Sequence, residues 1–135
     1  MRITPNNITE LKENEIFVFG SNESGIHGAG AAKLAREKFG AILGQGYGLQ
    51  GKSYAIPTKG PFAQYRLHVS DIRKYVDKFI EVSKERKDLT FLVTLVGCGL
   101  AGYEPNQIAH LFKDALKLEN VYLPIEFITE LMIDN

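Results

Sequence analysis

Two apolar runs, each passing directly into a glycine-rich turn and then a helix, constrain the fold more than any other feature of this chain. Ile16-Phe17-Val18-Phe19 is unbroken by polar residues and ends at Gly20-Ser21-Asn22. Leu89 to Val96 is apolar except for Thr90 and Thr94, and ends at Gly97-Cys98-Gly99-Leu100-Ala101-Gly102. Runs without alternation are the signature of strands buried on both faces, as in parallel sheets covered by helices. Residues 30 to 39 place Ala31, Ala32, Leu34, Ala35 and Phe39 against charged neighbours at helical spacing, and Gly40 ends the segment. Ser70 is a good N-cap for a long amphipathic helix to about Lys87, carrying Ile72, Tyr75, Val76, Phe79 and Ile80 on one face. Pro105 suits the first turn of another helix bearing Ile108, Ala109, Leu111, Phe112, Ala115 and Leu116. Ser53 to Thr58 reads as a short strand closed by Pro57, and Val121 to Ile128 as a last strand. The expectation is an α/β fold: a three-layer α/β/α sandwich with a mostly parallel sheet, in one domain spanning residues 1–135.

Composition narrows the partners. Lys+Arg and Asp+Glu are both 16, a formal net charge of zero, which argues against broad nucleic-acid binding or attachment to a membrane surface. No apolar run approaches the ~20 residues of a membrane span, and the N-terminus lacks a signal-peptide pattern. With Cys98 as the one cysteine, no internal disulfide forms, and the chain is expected to be cytoplasmic. One cysteine and three scattered histidines provide no metal-binding spacing, and no cofactor is implied.

In open α/β sheets ligands bind at the carboxyl ends of the strands. Both glycine loops, Gly20 to Gly30 and Gly97 to Gly102, leave strands there and enter helices. A helix N-terminus presents unpaired N–H groups and the positive end of its dipole, and glycine lets the backbone approach phosphate oxygens closely. The expected contacts are Ser21, Gly28, Ala29 and Gly30 on the first loop, and Gly97, Cys98, Gly99, Leu100, Ala101, Gly102 and Tyr103 on the second. The alternative is that these glycines only make tight turns. Gly46 to Ser53 matches the P-loop pattern letter for letter, but the following Tyr54-Ala55-Ile56-Pro57 reads as a strand rather than the required helix.

His27 is suited either to phosphate contact and acid–base work near neutral pH or to a hydrogen bond that fixes its loop. Glu23 is the nearest carboxylate, able to orient a water or His27, or simply to be solvated. Asn22 either contacts a ligand or serves the loop backbone. Cys98 reads as a small hydrophobe more readily than as a nucleophile. Lys52 and Lys59 are candidate sources of positive charge.

Phe17 to Asn22, Gly28-Ala29-Gly30-Ala31-Ala32, Gly46 to Thr58 and Val96 to Tyr103 together resemble the macrodomain family, in particular a divergent group of small macrodomain-like proteins of bacteria and phages. Asn7 to Leu11 is faintly similar to the family's opening segment. The resemblance implies an α/β/α sandwich that binds ADP-ribose, with Asn22 at the distal ribose and the two loops on the phosphates. It also implies that ADP-ribosylated macromolecules are possible partners. If hydrolysis occurs, Asn22 would position water and His27 or Glu23 would handle the proton. The acidic residues that hydrolytic members carry after the first glycine run and in the second loop are replaced by Ala31, Ala32 and Ala101. The resemblance therefore implies ligand binding more strongly than catalysis. The alternative is a non-catalytic module recognising RNA or an ADP-ribosylated partner, and a P-loop ATPase using Gly46 to Ser53 is the less favoured third reading.

Overall fold

The computed structural model describes residues 2–133. Five strands form one sheet: β1 (Glu15–Asn22), β2 (Gly48–Gln50), β3 (Ser53–Lys59), β4 (Thr90–Val93) and β5 (Val121–Tyr122). Their order is β2-β3-β1-β4-β5, and all run parallel except β2, which pairs antiparallel with β3. Four helices accompany them: α1 (Gly30–Lys38), α2 (Val69–Glu85), α3 (Pro105–Ile108) and α4 (Ile125–Ile133).

The central strand explains the layering. Successive side chains of a strand point to opposite faces, and β1 divides accordingly. Ile16 and Val18 join Tyr54, Ile56, Phe91 and Val93 in the larger core under α2, α3 and α4. Phe17 and Phe19 join Ala55 in a smaller core closed by Ala32, Ala35 and Phe39 of the α1 segment. An apolar run with no alternation thus serves two cores, and the helices lie on both sides of the sheet.

Several boundaries differ from the sequence reading. The last strand is two residues long, and Ile125 to Ile133 is a helix whose first turn hangs from Pro124, its carbonyl accepting from the N–H of Phe127 and Ile128 at 3.0 and 3.1 Å. A mostly apolar run such as Val121 to Ile128, broken by Pro124 and Glu126, fits a strand or a buried helix equally, and the proline fixes the choice. α2 begins at Val69 with His68 as N-cap, so Ser70 lies inside the first turn, and it ends at Glu85. β4 is confined to Thr90–Val93. The segment after Pro105 is α-helical for one turn and continues as a 3-10 helix, Ala109–Lys117, with Leu116 exposed. Pro57 lies within β3 rather than ending it. β2 covers β3 only as far as Ala55, so the missing proline N–H interrupts no pairing on that side.

Candidate ligand-binding site

The two glycine loops converge. Together with the ends of β3 and β4 they enclose a cavity of about 470 Å³ at the carboxyl edge of the sheet, a volume suited to a small-molecule ligand. Ser21, Asn22, Gly28, Ala29 and Gly30 line it from the first loop, and Gly97, Gly99, Leu100 and Ala101 from the second. Thr58 and Lys59 contribute from β3, and Thr94 from the end of β4. Among the described lining residues Lys59 is the charged one, and none is Asp, Glu or His.

The first loop is shaped by its own polar groups. Asn22 Nδ2 donates to the Ile26 carbonyl at 2.7 Å, and the Ile26 N–H donates back to Asn22 Oδ1 at 3.0 Å. This doubly closed turn uses one donor and one acceptor position of the amide, leaving the others for the cavity. Beneath it lies the glycine-dense segment 41–51. Gly25 adopts φ +70°, and the space a β-carbon would need there is filled by the backbone of Gly44 and Gln45. Ser21 Oγ donates to the Gly46 carbonyl, and the Gly44 N–H donates to Gly25 at 2.9 Å.

His27 belongs to this foundation, not to the cavity. Its side chain is fully buried, with Nε2 3.0 Å from the Ile42 carbonyl and 3.3 Å from Gln50 Oε1. Two acceptors at Nε2 place the proton there. The ring meets Phe19 edge-on at 5.3 Å, and Gln50 Oε1 also accepts from the Ile42 N–H at 2.7 Å. His27 is therefore a latch between the loop and segment 41–51, which corrects its candidacy as an acid or base. Gln50 was not identifiable as its partner, because a glutamine 23 residues away carries no local signal.

Glu23 also points elsewhere. It accepts a 2.6 Å hydrogen bond from the Tyr75 hydroxyl, whose pKa rises to about 12 through burial first and this carboxylate second. Asn22 and Glu23, adjacent in sequence, face different hollows, so the three residues considered for catalysis are not brought together.

At α1 the first-turn N–H groups have no side-chain cap, and Gly30, Ala31 and Ala32 precede the first intrahelical donor, Lys33, which bonds Ala29. In the second loop the Gly102 and Tyr103 N–H groups close on Gly99 and Gly97 at 3.0 and 2.9 Å. The N–H groups of Gly99, Leu100 and Ala101 donate to no protein acceptor among the described residues. Residues with unpaired N–H groups on both loops thus line one cavity.

Three residues of the second loop lie outside the lining. Cys98 is half-buried, and burial, reinforced by Glu104 and Glu126, pushes its thiol up to about 11, the reverse of an activated nucleophile. Tyr103 is buried, donating to the Leu67 carbonyl at 2.6 Å beneath the Arg66 guanidinium, which sits 4.0 Å from its ring centre. Gly102 serves the turn. The P-loop-like segment forms the β2–β3 hairpin, and Lys52 Nζ donates to the Lys12 and Leu11 carbonyls at 2.7 and 3.4 Å, away from the cavity. Thr58 and Thr94 were not anticipated. Their hydroxyls bond the carbonyls of Ser21 and Val18 at 3.3 and 2.7 Å, joining the strand ends that form the floor.

No protein-family model matches the chain, and no curated protein matches it. Among solved structures, a protein of unknown function from Bacteroides thetaiotaomicron is similar, with a TM-score of 0.61 over 86% of this chain and 90% of that one. The two are 14% identical, so the likeness shows the fold alone.

Proposed function

We propose that the cavity binds ADP-ribose or a related nucleotide diphosphate, and that the fold is macrodomain-like in its use. The observation that carries this reading is the character of Gly28 and Gly99. Glycine is usually required either by a left-handed backbone or by crowding. Neither residue has positive φ, and a β-carbon built on either meets no heavy atom within 4 Å. Both line the cavity, one on each loop. A glycine that neither the fold nor its neighbours require leaves the backbone open to close approach by a ligand. The donors beside them suit phosphate oxygens, since N–H groups at a helix N-terminus and in a glycine turn favour anions. The diphosphate would lie between residues 28–30 and 97–101, with Asn22 beside the distal ribose.

Binding is favoured over hydrolysis. General acid–base chemistry needs a titratable group within hydrogen-bond reach of the reacting atoms, and among the described lining residues there is no carboxylate or imidazole, Lys59 being the one titratable side chain. The protein would then act as a reader of free ADP-ribose or of an ADP-ribosylated macromolecule. Calorimetric titration with ADP-ribose, alongside ATP, AMP and NAD, tests the reading. Saturable one-to-one binding of ADP-ribose, with no product released from an ADP-ribosylated substrate, is the expected outcome. Heat from ATP or AMP but not ADP-ribose would sink it.

A further inference from the structure

A second cavity, of about 610 Å³, opens on the other side of the Asn22–Glu23 step. Three of the chain's six tyrosines face it: Tyr47, Tyr65 and Tyr75. One exposed tyrosine needs no explanation, but three around one hollow do. Tyr47 and Tyr65 are 54% and 56% exposed, whereas the Tyr75 ring is braced by its bond to Glu23 and lies 5.7 Å from Tyr47 at 45°. Tyr47 and Tyr75 therefore form a partly fixed aromatic pair, and Tyr65 lines the same cavity.

Cations border that cavity. Lys74 and Lys78 project from α2 one turn apart. Their contacts with Asp71 and Glu81 are long, at 3.7 and 3.8 Å, and the two lysine side chains are 80% and 60% exposed. Exposed pairs of this kind hold an ammonium weakly, so both are free to turn to an anion. Arg66, on the strap that follows β3, joins them. These three cations outnumber the two carboxylates lining the cavity, Glu23 and Asp71, although Arg66 is held over the Tyr103 ring and donates to the Ala101 carbonyl at 3.5 Å, which leaves Lys74 and Lys78 as the mobile charges. Ring faces for stacking beside mobile ammonium groups match the two halves of a nucleotide, a flat base and its phosphate.

We propose that this second cavity is a nucleotide site that stacks a base against Tyr47 and Tyr65 and pairs its phosphate with Lys74 and Lys78. The base and phosphate have two possible sources, a free mononucleotide or a single-stranded nucleic acid crossing the groove. The site is separate from the proposed ADP-ribose cavity, and its test is scored on different residues.

Anisotropy of a fluorescein-labelled oligo-dA octamer, with unlabelled AMP as competitor, provides the assay. Tyr47→Ala and Tyr65→Ala should each weaken octamer binding by about 5- to 150-fold, the range for loss of one base stack. The double variant Lys74→Gln, Lys78→Gln should reduce the slope of log affinity against log salt by about 1.4, two phosphate contacts on a single strand. Gly28→Val, which obstructs the first cavity, should leave octamer affinity unchanged. Both tyrosines are exposed, and an unaltered melting temperature verifies that their variants fold. AMP competing as well as a dA octamer identifies a mononucleotide site, and a much tighter octamer identifies a strand. The proposal is overturned if neither probe binds at millimolar concentration, if both tyrosine variants bind like the parent, or if Gly28→Val abolishes octamer binding. Octamer binding without ADP-ribose binding would remove only the reading of the first cavity.

Discussion

Replacing Gly28 or Gly99 by alanine separates ligand contact from fold more cleanly than any other change in this protein. Neither site has a left-handed backbone or a neighbour within 4 Å of the added carbon. The folded state therefore accepts the methyl group without strain, while the unfolded chain loses freedom. The expected effect on folding is stabilisation of about 0.4–1 kcal/mol, or a rise in Tm of roughly 2–5 °C for a chain of this size. The effect on binding has the opposite sign. A methyl group on the cavity wall holds a phosphate away from the loop, and hydrogen bonds to charged groups contribute about 1.5–3 kcal/mol each. Losing the equivalent of one such bond weakens affinity by roughly 10- to 150-fold.

Calorimetric titration with ADP-ribose and thermal melting on the same samples read both quantities. Gly51→Ala is the internal control. Its φ is +58° and its β-carbon would lie 2.6 Å from the Gly40 carbonyl oxygen. This variant should lose about 2 kcal/mol or more of stability while its folded fraction binds normally, because Gly51 lies in the β2–β3 turn away from the lining. Parental ADP-ribose affinity in both Gly28→Ala and Gly99→Ala, with Tm unchanged or raised, would refute the argument that these glycines admit a phosphate.

The other expectations concern the foundations of the site. His27→Ala removes a fully buried ring and its bonds to Ile42 and Gln50, so urea unfolding should show a loss of about 2–4 kcal/mol; an unchanged midpoint would contradict the latch. Burial raises the Tyr54 hydroxyl to about 12, so its neutral form is favoured in the folded state. Its contribution is complete below about pH 10 and lost as pH rises towards 12, and Tyr54→Phe should flatten that part of a Tm-against-pH curve. Cys98, with its thiol near 11 rather than 9, should react with iodoacetamide at pH 8 about 100-fold more slowly than a free cysteine peptide, in line with its smaller thiolate fraction. Fast labelling would revive a nucleophilic role.

The parts of the fold legible in the sequence are those decided by local pattern. β1 and the strand before Gly97 announce themselves because a central parallel strand must be apolar on both faces, and Phe17–Phe19 and Ile16–Val18 do serve two cores. β2 left no such trace. It is three residues, Gly48–Gln50, and exists because the turn at Gly51 folds it back on β3. Val121 to Ile128 carried hydrophobicity without period, and the starting position at Pro124 outweighed that pattern. In each case the missing information was a pairing partner or a boundary, not a propensity.

The same division runs through the candidate site and bears on its chemistry. The loops that line the cavity are contiguous segments, so their glycines and small residues were visible as a set. The titratable residues within them were visible too, but their fate depends on distant groups: His27 on Ile42 and Gln50, Glu23 on Tyr75, 52 residues away. These contacts draw the imidazole and the carboxylate out of the cavity and leave backbone N–H groups, an amide and hydroxyls facing it. Long-range packing thus holds the imidazole and the carboxylate away from the cavity, while Gly28 and Gly99, whose added β-carbons would meet nothing within 4 Å, keep its walls open; the proposed binding of an anionic ligand rests on that arrangement.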